Sequence, residues 1–218
     1  MLTIYGFDFS SPANKVRFAA NAMGLKYEYK RVNLLAGEQK TPEFLKLNPT
    51  GRVPAINDDG FTAFESAAII KYLAGKNNSP LYPQDLQKRT MVDQWIDFAN
   101  LHVATALNRV TFNRVMYKLL NVEQDERSLS DGVKFLGQFL PAIEKQLKEN
   151  KFLAGSEMTL ADINLLAVLD PCELSSVDLS GYPSLSNWRK NLKSQSFYTQ
   201  CHNSLEEVFQ AMTAGAGK

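Results

Sequence analysis

The sequence is poor in cysteine and histidine, the side chains that most often hold metals or exchange disulfides. Its two cysteines are Cys172 and Cys201, its two histidines are His102 and His202, and it contains no Cys-x-x-Cys pair. A Cys/His metal site or a thiol redox pair is therefore not expected. Both cysteines are interpreted as ordinary thiols of a reducing compartment.

The sequence also lacks an excess of charge and any long apolar run. Its 24 Lys and Arg residues face 23 Asp and Glu residues, so no strong net field recruits nucleic acid or an anionic membrane. No segment approaches the roughly 20 apolar residues of a membrane span, and the N-terminus lacks the features of a signal peptide. With 44% hydrophobic residues in 218, the chain can bury a sizeable core. We expect a globular, cytoplasmic protein with no nucleic-acid or membrane partner.

The first third of the sequence alternates between strand and helix patterns. Leu2–Gly6 and Tyr27–Leu34 indicate strands, and Pro12–Met23 has helical period, which together predict a βαβ unit. "VPAI" and "FTAFE" then flank a tight turn at Asp59-Gly60, and a helix follows from Ser66. The predicted plan of this part is βαβ-ββα.

The rest of the chain has helical period. The stretch "NNSPLYPQD" at 77–85 interrupts the pattern, so we assign residues 1–77 to the first domain, 78–88 to a linker and 89–218 to a helical domain. The predicted helices are Arg89–Leu120, Gln124–Asn150, Leu160–Leu169, Ser184–Lys193 and Leu205–Met212, with a frayed tail "TAGAGK".

Two local signals bear on where these helices bend, begin or end. Pro141 lies inside the second predicted helix and should kink it or mark a boundary. Thr159 and Asp162 form the pattern of a capping box at the start of the third. The second signal predicts a well-defined helix start and says nothing about chemistry.

Four longer motifs stand in both halves of the chain: "SSPANKV" at 10–16, "NLLAGEQKTPEFLKLNPTGRVPAI" at 33–56, "FESAAIIKYL" at 64–73 and "FLAGSEMTLADI" at 152–163. Together they resemble the cytosolic glutathione transferases, most closely the serine-type theta, delta and phi branches. The resemblance implies a thioredoxin-like domain followed by an all-helical domain, and a detoxifying enzyme that conjugates glutathione to hydrophobic electrophiles. Alternatives on the same site are glutathione-dependent isomerisation, peroxide reduction or dehalogenation, or a non-catalytic glutathione-binding or regulatory protein.

The turn at 8–16, "DFSSPANKV", holds two adjacent serines. Either serine could cap the helix that follows, with Pro12 at an early helical position. A hydroxyl there could also donate a hydrogen bond to a thiol, since a helix N-terminus favours the thiolate. The resemblance implies a catalytic serine six residues before Val16, which is Ser10, with Ser11 as its competitor; Ser11 and Pro12 would then shape the turn. Because the turn contains no cysteine, the resemblance implies no mixed disulfide.

The resemblance implies glutathione-binding residues in three further places. Pro54 is expected to follow a cis peptide bond, so that the backbone of Val53 binds the cysteinyl part of glutathione as a short β-ladder. Glu65 is expected to pair with the γ-glutamyl ammonium, and Ser66 to bind its carboxylate while capping the helix. The remaining positions are Gln39 and Lys40, near the glycyl carboxylate, and Arg52, just before Val53.

The second substrate is expected between the domains, against the first long helix of the helical half. The residues expected to form this pocket are Phe7, Phe9, Arg109, Phe112, Met116 and Tyr117. Such residues at helical spacing are more often core, and an orienting role for Arg109 or Arg114 is left open. The resemblance also implies a homodimer and glutathione as co-substrate, without a metal or an organic prosthetic group. Thr50 stands where some branches place an aromatic residue that inserts into the partner subunit.

Overall fold

The N-terminal part of the molecule is built on a four-stranded mixed sheet. The structure is a computed structural model that describes residues 1–201 and 204–215, so His202 and the last three residues of the expected frayed tail lie outside it. The strands are β1 (Leu2–Gly6), β2 (Tyr27–Arg31), β3 (Ala55–Asp58) and β4 (Phe61–Phe64). Their order is β2-β1-β3-β4, with β1 parallel to β2 and antiparallel to β3, and β3 antiparallel to β4. This is the expected βαβ-ββα arrangement.

Three helices accompany the sheet: α1 (Ser11–Ala22), α2 (Pro42–Leu47) and α3 (Ser66–Lys76). Helix α2 was not predicted from the sequence, although its start carries a local signal. The hydroxyl of Thr41 accepts a hydrogen bond from the backbone N–H of Phe44 at 3.3 Å, and a proline follows Thr41 at the first helical position. Strand β2 ends at Arg31 rather than at Leu34, and the chain continues into a 3₁₀ turn at Glu38–Lys40.

The helical part begins with one long helix that contains two π-helical turns. Its α-helical segments are α4 (Leu86–Phe98), α5 (Ala104–Thr111) and α6 (Tyr117–Leu120), and the π turns are Ala99–Val103 and Phe112–Met116. The later helices are α7 (Glu126–Glu149), α8 (Leu160–Leu169), α9 (Pro183–Lys193), α10 (Ser196–Thr199) and α11 (Leu205–Gly215). Helix α10 was not predicted. No helix within the described residues has the length and apolarity that crossing a membrane requires.

The two local signals in this part have different outcomes. Helix α7 continues through Pro141, so the expectation of a boundary there is wrong. The capping box at the start of α8 is confirmed: the carboxylate of Asp162 accepts the backbone N–H of Thr159 at 2.9 Å. The same buried carboxylate accepts the backbone N–H of Leu153 at 3.0 Å and the indole N–H of Trp188 at 3.1 Å. Asp162 thereby joins α8 to the preceding loop and to α9.

One buried core runs through both halves of the molecule. Phe18 of α1 packs its ring against Tyr198 and Phe197 of α10, with centroid distances of 4.9 and 6.3 Å. The backbone N–H of Leu160 also donates to the carbonyl of Leu81 at 2.8 Å. Helix α1, which begins at the two serines, is therefore held on one side by the sheet and on the other by the helical part. The domain limits drawn from the sequence stay a prediction.

Candidate active site

The turn before α1 places its two serines in different chemical situations. Ser10 is the N-cap: its Oγ accepts the backbone N–H of Ala13 at 3.3 Å, and its own N–H donates to the carbonyl of Phe7 at 2.8 Å. Because a hydroxyl both accepts and donates, this cap leaves the proton of Ser10 free for a group in front of the helix. Ser11 is the first helical residue, and no described residue hydrogen-bonds to its hydroxyl. The cap is thus Ser10, one of the two alternatives that the sequence left open.

Both serines lie in the wall of a largely apolar cavity of about 530 Å³ between the sheet part and the helical part. Phe7, Phe9 and Met116 line it, as expected from the sequence. The other residues of the wall are Pro12, Leu34, Leu35, Asn108, Thr111, Leu119, Leu120, Pro171, Leu205 and Thr213. An apolar wall with two hydroxyls at one end suits a hydrophobic reactant brought next to a polar reacting group.

The other residues expected in this pocket do not line the cavity. Arg109 lies beside His102 in a separate depression, and Phe112 and Tyr117 are absent from the cavity wall. Arg114 donates to the carbonyls of Ser175 and Ser176 at 2.8 and 2.7 Å, so its guanidinium holds a loop. The physical reason lies in the π turns, because each adds a residue to its turn and rotates the following side chains away from the 3.6-residue period.

Part of the cavity wall comes from segments that the sequence analysis did not connect with the site. Leu205 and Thr213 belong to α11, and the ring of Phe209 on the same helix lies 5.6 Å from that of Phe9. Leu35 is 71% exposed in the loop after β2. An adjacent pair of leucines after a strand is a signal that could have been noticed. Nothing in the sequence indicated that α11 reaches the serines.

The peptide bond between Val53 and Pro54 is cis, which confirms the expectation. Among the described residues, neither the N–H nor the C=O of Val53 has a hydrogen-bond partner, so both remain available to an extended peptide. The side chain of Arg52 is exposed, and its carbonyl accepts the amide of Asn48 at 2.6 Å. This segment therefore presents free backbone groups beside the sheet.

The 3₁₀ turn before α2 carries Gln39 and Lys40. The amide of Gln39 donates to the carbonyl of Leu34 at 3.3 Å, which orients this side chain, whereas Lys40 is exposed. A Cβ built on Gly51 would lie 2.8 Å from Lys40 Nζ, so the ammonium lies directly beside the loop that leads to Val53. The turn thus provides a positive charge close to the free backbone groups of Val53.

Glu65 and Ser66 begin α3 in an unusual conformation. Glu65 occupies the N-cap position with φ +68° and ψ 107°, and in the described part of the chain its side chain makes no capping hydrogen bond. The expectation that Ser66 caps the helix is wrong, because Ser66 is the first helical residue. A non-glycine residue with this positive φ is strained, and such strain clusters at functional sites. The first backbone N–H groups of α3 and the partial positive charge of its N-terminus are therefore suited to bind an anion.

Lys15 is a residue that the sequence analysis missed. Its side chain is buried, and its ammonium donates to the amide oxygen of Asn100 in the first π turn at 2.9 Å. Burial lowers the pKa of Lys15 to about 7, and the nearby negative charge of Glu65 acts in the opposite direction. The carboxylate of the strained Glu65 therefore lies close enough to act electrostatically on Lys15. A lysine in a helix pattern gives no sign of such burial.

Comparison with known proteins assigns the chain to a family. The model described as "Glutathione S-transferase, N-terminal domain" matches residues 1–75, and the model described as "Glutathione S-transferase, C-terminal domain" matches residues 102–196. The chain belongs to the glutathione S-transferase family. The resemblance noted from the four sequence motifs is thereby confirmed at the level of the family.

Individual relatives are similar to this glutathione transferase over most of their own length. Glutathione S-transferase D7 of Drosophila melanogaster is 34% identical over 87% of this chain and 83% of its own. Glutathione S-transferase 1 of Dianthus caryophyllus is 36% identical over 92% of this chain and 91% of its own. A solved glutathione S-transferase-I bound with the ligand lactoylglutathione is 30% identical, with a TM-score of 0.84 over 92% of this chain and 97% of its own. The protein is an enzyme of this family with the thioredoxin-like and all-helical architecture expected from the sequence.

Proposed function

We propose that this glutathione transferase joins the glutathione thiolate to small hydrophobic electrophiles and that Ser10 stabilises the thiolate. The observation that carries the proposal is the position of the Ser10 hydroxyl, which caps α1, keeps its proton free and faces an apolar cavity. The cavity offers room for an electrophile directly beside that hydroxyl. The proposal includes the serine-type mechanism, which the family alone does not imply.

The chemistry follows from the pKa of a thiol. A free thiol has a pKa of about 8.5, so most glutathione is protonated at neutral pH, and only the thiolate is a good nucleophile. A hydrogen bond from Ser10 and the positive end of α1 both favour the thiolate, and each unit by which the pKa falls corresponds to about 1.4 kcal/mol. The thiol proton leaves to solvent, and the sulfur lone pair then forms the new bond to the electrophilic carbon; with an aryl halide, the carbon–halogen bond breaks and halide leaves. Ser10 itself is not modified.

The rest of glutathione would bind along groups that the fold leaves unsatisfied. The free N–H and C=O of Val53 would pair with the cysteinyl backbone, as in an added β-strand. The amides at the start of α3 and the hydroxyl of Ser66 would receive the γ-glutamyl carboxylate, while Glu65 pairs with its ammonium. Lys40, with Gln39 and Arg52 nearby, would hold the glycyl carboxylate. Holding both reactants in one cleft adds to the catalytic effect.

A homodimer in the cytoplasm is part of the proposal. Large apolar side chains remain exposed on β4 and on the long helix, with Phe61 52% and Leu101 67% accessible, and such surface suits a subunit contact. Both cysteines are free thiols, which fits a reducing compartment. The domain limits included in the proposal are 1–77 and 89–218.

The deciding experiment titrates the thiolate absorbance of bound glutathione in wild type, Ser10→Ala and Ser11→Ala, together with conjugation of an aryl halide. Ser10→Ala should raise the apparent thiol pKa by about 1 to 2 units, since it removes the donor to the charged sulfur. Ser11→Ala should leave this pKa near that of wild type.

A control separates the hydroxyl from the cap. Ser10→Ala also removes an N-cap, whereas Ser10→Gly costs the helix only a few tenths of a kcal/mol. Both variants should raise the thiol pKa equally. An unchanged pKa in both, with a rise in Ser11→Ala, would assign the thiolate to Ser11. Retention of glutathione without conjugation above the uncatalysed rate in wild type would favour a binding protein.

A further inference from the structure

A fully buried amide lies directly beneath the serine turn. The side chain of Asn14 is 0% exposed, and its Nδ2 donates to the backbone carbonyl of Asp8 at 2.8 Å. The backbone N–H of Asn14 donates to the carbonyl of Ser10 at 2.9 Å. Asn14 therefore binds the turn on both sides of Phe9, with its side chain at Asp8 and with its backbone N–H at Ser10.

Arg17 fixes the orientation of this amide. Its Nη1 lies 3.2 Å from Oδ1 of Asn14 and 3.2 Å from the carboxylate of Asp8. The guanidinium also lies over the ring of Tyr29, 4.3 Å from its centroid, and Arg31 pairs with the same carboxylate at 2.8 Å. Because a side-chain amide has one accepting and one donating end, this arrangement leaves its NH₂ end pointing at Asp8.

The network thus constrains Asp8 through both its backbone and its side chain. Asp8 lies two residues before Ser10, and the carbonyl of Phe7 accepts the N–H of Ser10 at 2.8 Å. The backbone position of Ser10, from which its hydroxyl projects, therefore depends on this turn. Hydrogen bonds to sulfur weaken as distance and angle depart from their optimum, so a small shift of the turn changes how strongly Ser10 favours a thiolate.

We propose that Asn14 is a positioning residue that sets the Ser10 hydroxyl for the glutathione thiolate. The inference rests on the proposed role of Ser10 and adds a residue that does not contact glutathione. Asn14 acts only through the turn, because its side chain is enclosed and both of its ends bind protein groups.

The test replaces Asn14 by leucine, which has a similar size and makes no hydrogen bond. Asn14→Leu should raise the pKa of the bound glutathione thiol by about half a unit to one unit, less than Ser10→Ala, because the hydroxyl is still present. At neutral pH kcat/KM should fall roughly three- to tenfold, and the loss should shrink at high pH, where the thiol is ionised without help.

The same helix offers a matched control in Asn21. Its amide donates to the carbonyl of Phe197 at 3.0 Å, and its oxygen accepts the hydroxyl of Tyr27 at 3.0 Å, far from the serine turn. Asn21→Leu should lower the melting temperature as Asn14→Leu does and leave the thiol pKa unchanged. If Asn14→Leu does not fold, Asn14→Ala, which leaves space for water, carries the same comparison.

A double variant decides whether Asn14 acts through Ser10. If it does, Ser10→Ala/Asn14→Leu should show the same thiol pKa as Ser10→Ala alone. Additive shifts, an equal shift in Asn21→Leu, or no shift in Asn14→Leu while Ser10→Ala raises the pKa would each overturn the inference. An unchanged pKa in Ser10→Ala would instead refute the proposed function.

Discussion

Replacing Lys15 by methionine should stabilise this enzyme in neutral and acidic solution. Lys15 is 4% exposed, and within the described part of the chain its ammonium makes one hydrogen bond, to Asn100 at 2.9 Å. Burial lowers its pKa from 10.5 to about 7, while Glu65 partly offsets this effect. Methionine fills a similar volume with no charge to bury.

The size and sign of the effect follow from the two pKa values. Between pH 7 and pH 10.5 the unfolded chain keeps the Lys15 proton and the folded chain has lost it, so stability rises with pH across this window. At about 1.4 kcal/mol per pH unit, the stability of wild type relative to Lys15→Met should rise by about 2 kcal/mol from pH 7 to pH 9, since at pH 7 only half of the folded chains have lost the proton, and by at most about 5 kcal/mol over the whole window. Below pH 7 the burial penalty acts in full, and the methionine variant should be the more stable.

Urea unfolding at pH 6, 7, 8 and 9 measures this difference. Other titrating groups are common to both proteins and cancel in the comparison. Lys76→Met is the control, since the carboxylate of Asp58 holds the pKa of Lys76 above its ordinary value, and that variant should show no such trend between pH 6 and 9. A wild-type-minus-Lys15→Met difference that stays flat over this range would refute the assignment of a depressed pKa to Lys15.

Two further predictions concern packing and thiol chemistry. A Cβ at Gly132 would lie 2.8 Å from the carbonyl of Ala106 and 3.0 Å from Cβ of Arg109, so Gly132→Ala should cost about 1–3 kcal/mol in thermal unfolding. A Cβ at Gly137 on the same helix would meet no described residue within 4 Å, so Gly137→Ala should stabilise slightly. Equal effects of the two changes would contradict the close approach of α7 to α5. Burial raises the pKa of Cys172 to about 12, so iodoacetamide at pH 8 should label it far more slowly in the folded than in the unfolded protein, as mass spectrometry can measure.

The sequence allowed most of the fold to be predicted because its signals are local. The bounds of β1 and α8 agree with the prediction, and the capping box at Thr159 is present. These features depend on side-chain period and on hydrogen bonds within a few residues, which a single sequence displays. The cis bond before Pro54 came from the family motif, and not from periodicity. Helix α2 was missed although its start carries the same kind of local signal.

The candidate site could be predicted only where it is formed by motifs. Ser10, Val53 and Glu65 lie in short segments that the resemblance identified, and the structure places Ser10 at the cavity and leaves the backbone groups of Val53 free. Arg109 was expected in the pocket because it lies on the predicted first long helix of the helical half. The π turns break the period of that helix, and no residue type in the sequence marks them.

The sequence by itself determined the order of the elements other than α2 and α10, the family and the position of the serine turn. The tertiary structure alone decided that Asn14 and Lys15 are enclosed and that α11 completes the cavity. Burial and desolvation depend on surfaces contributed by segments that are far apart in the chain, as Lys15 and Asn100 show. Such contacts form only when the two halves of the molecule pack around one core.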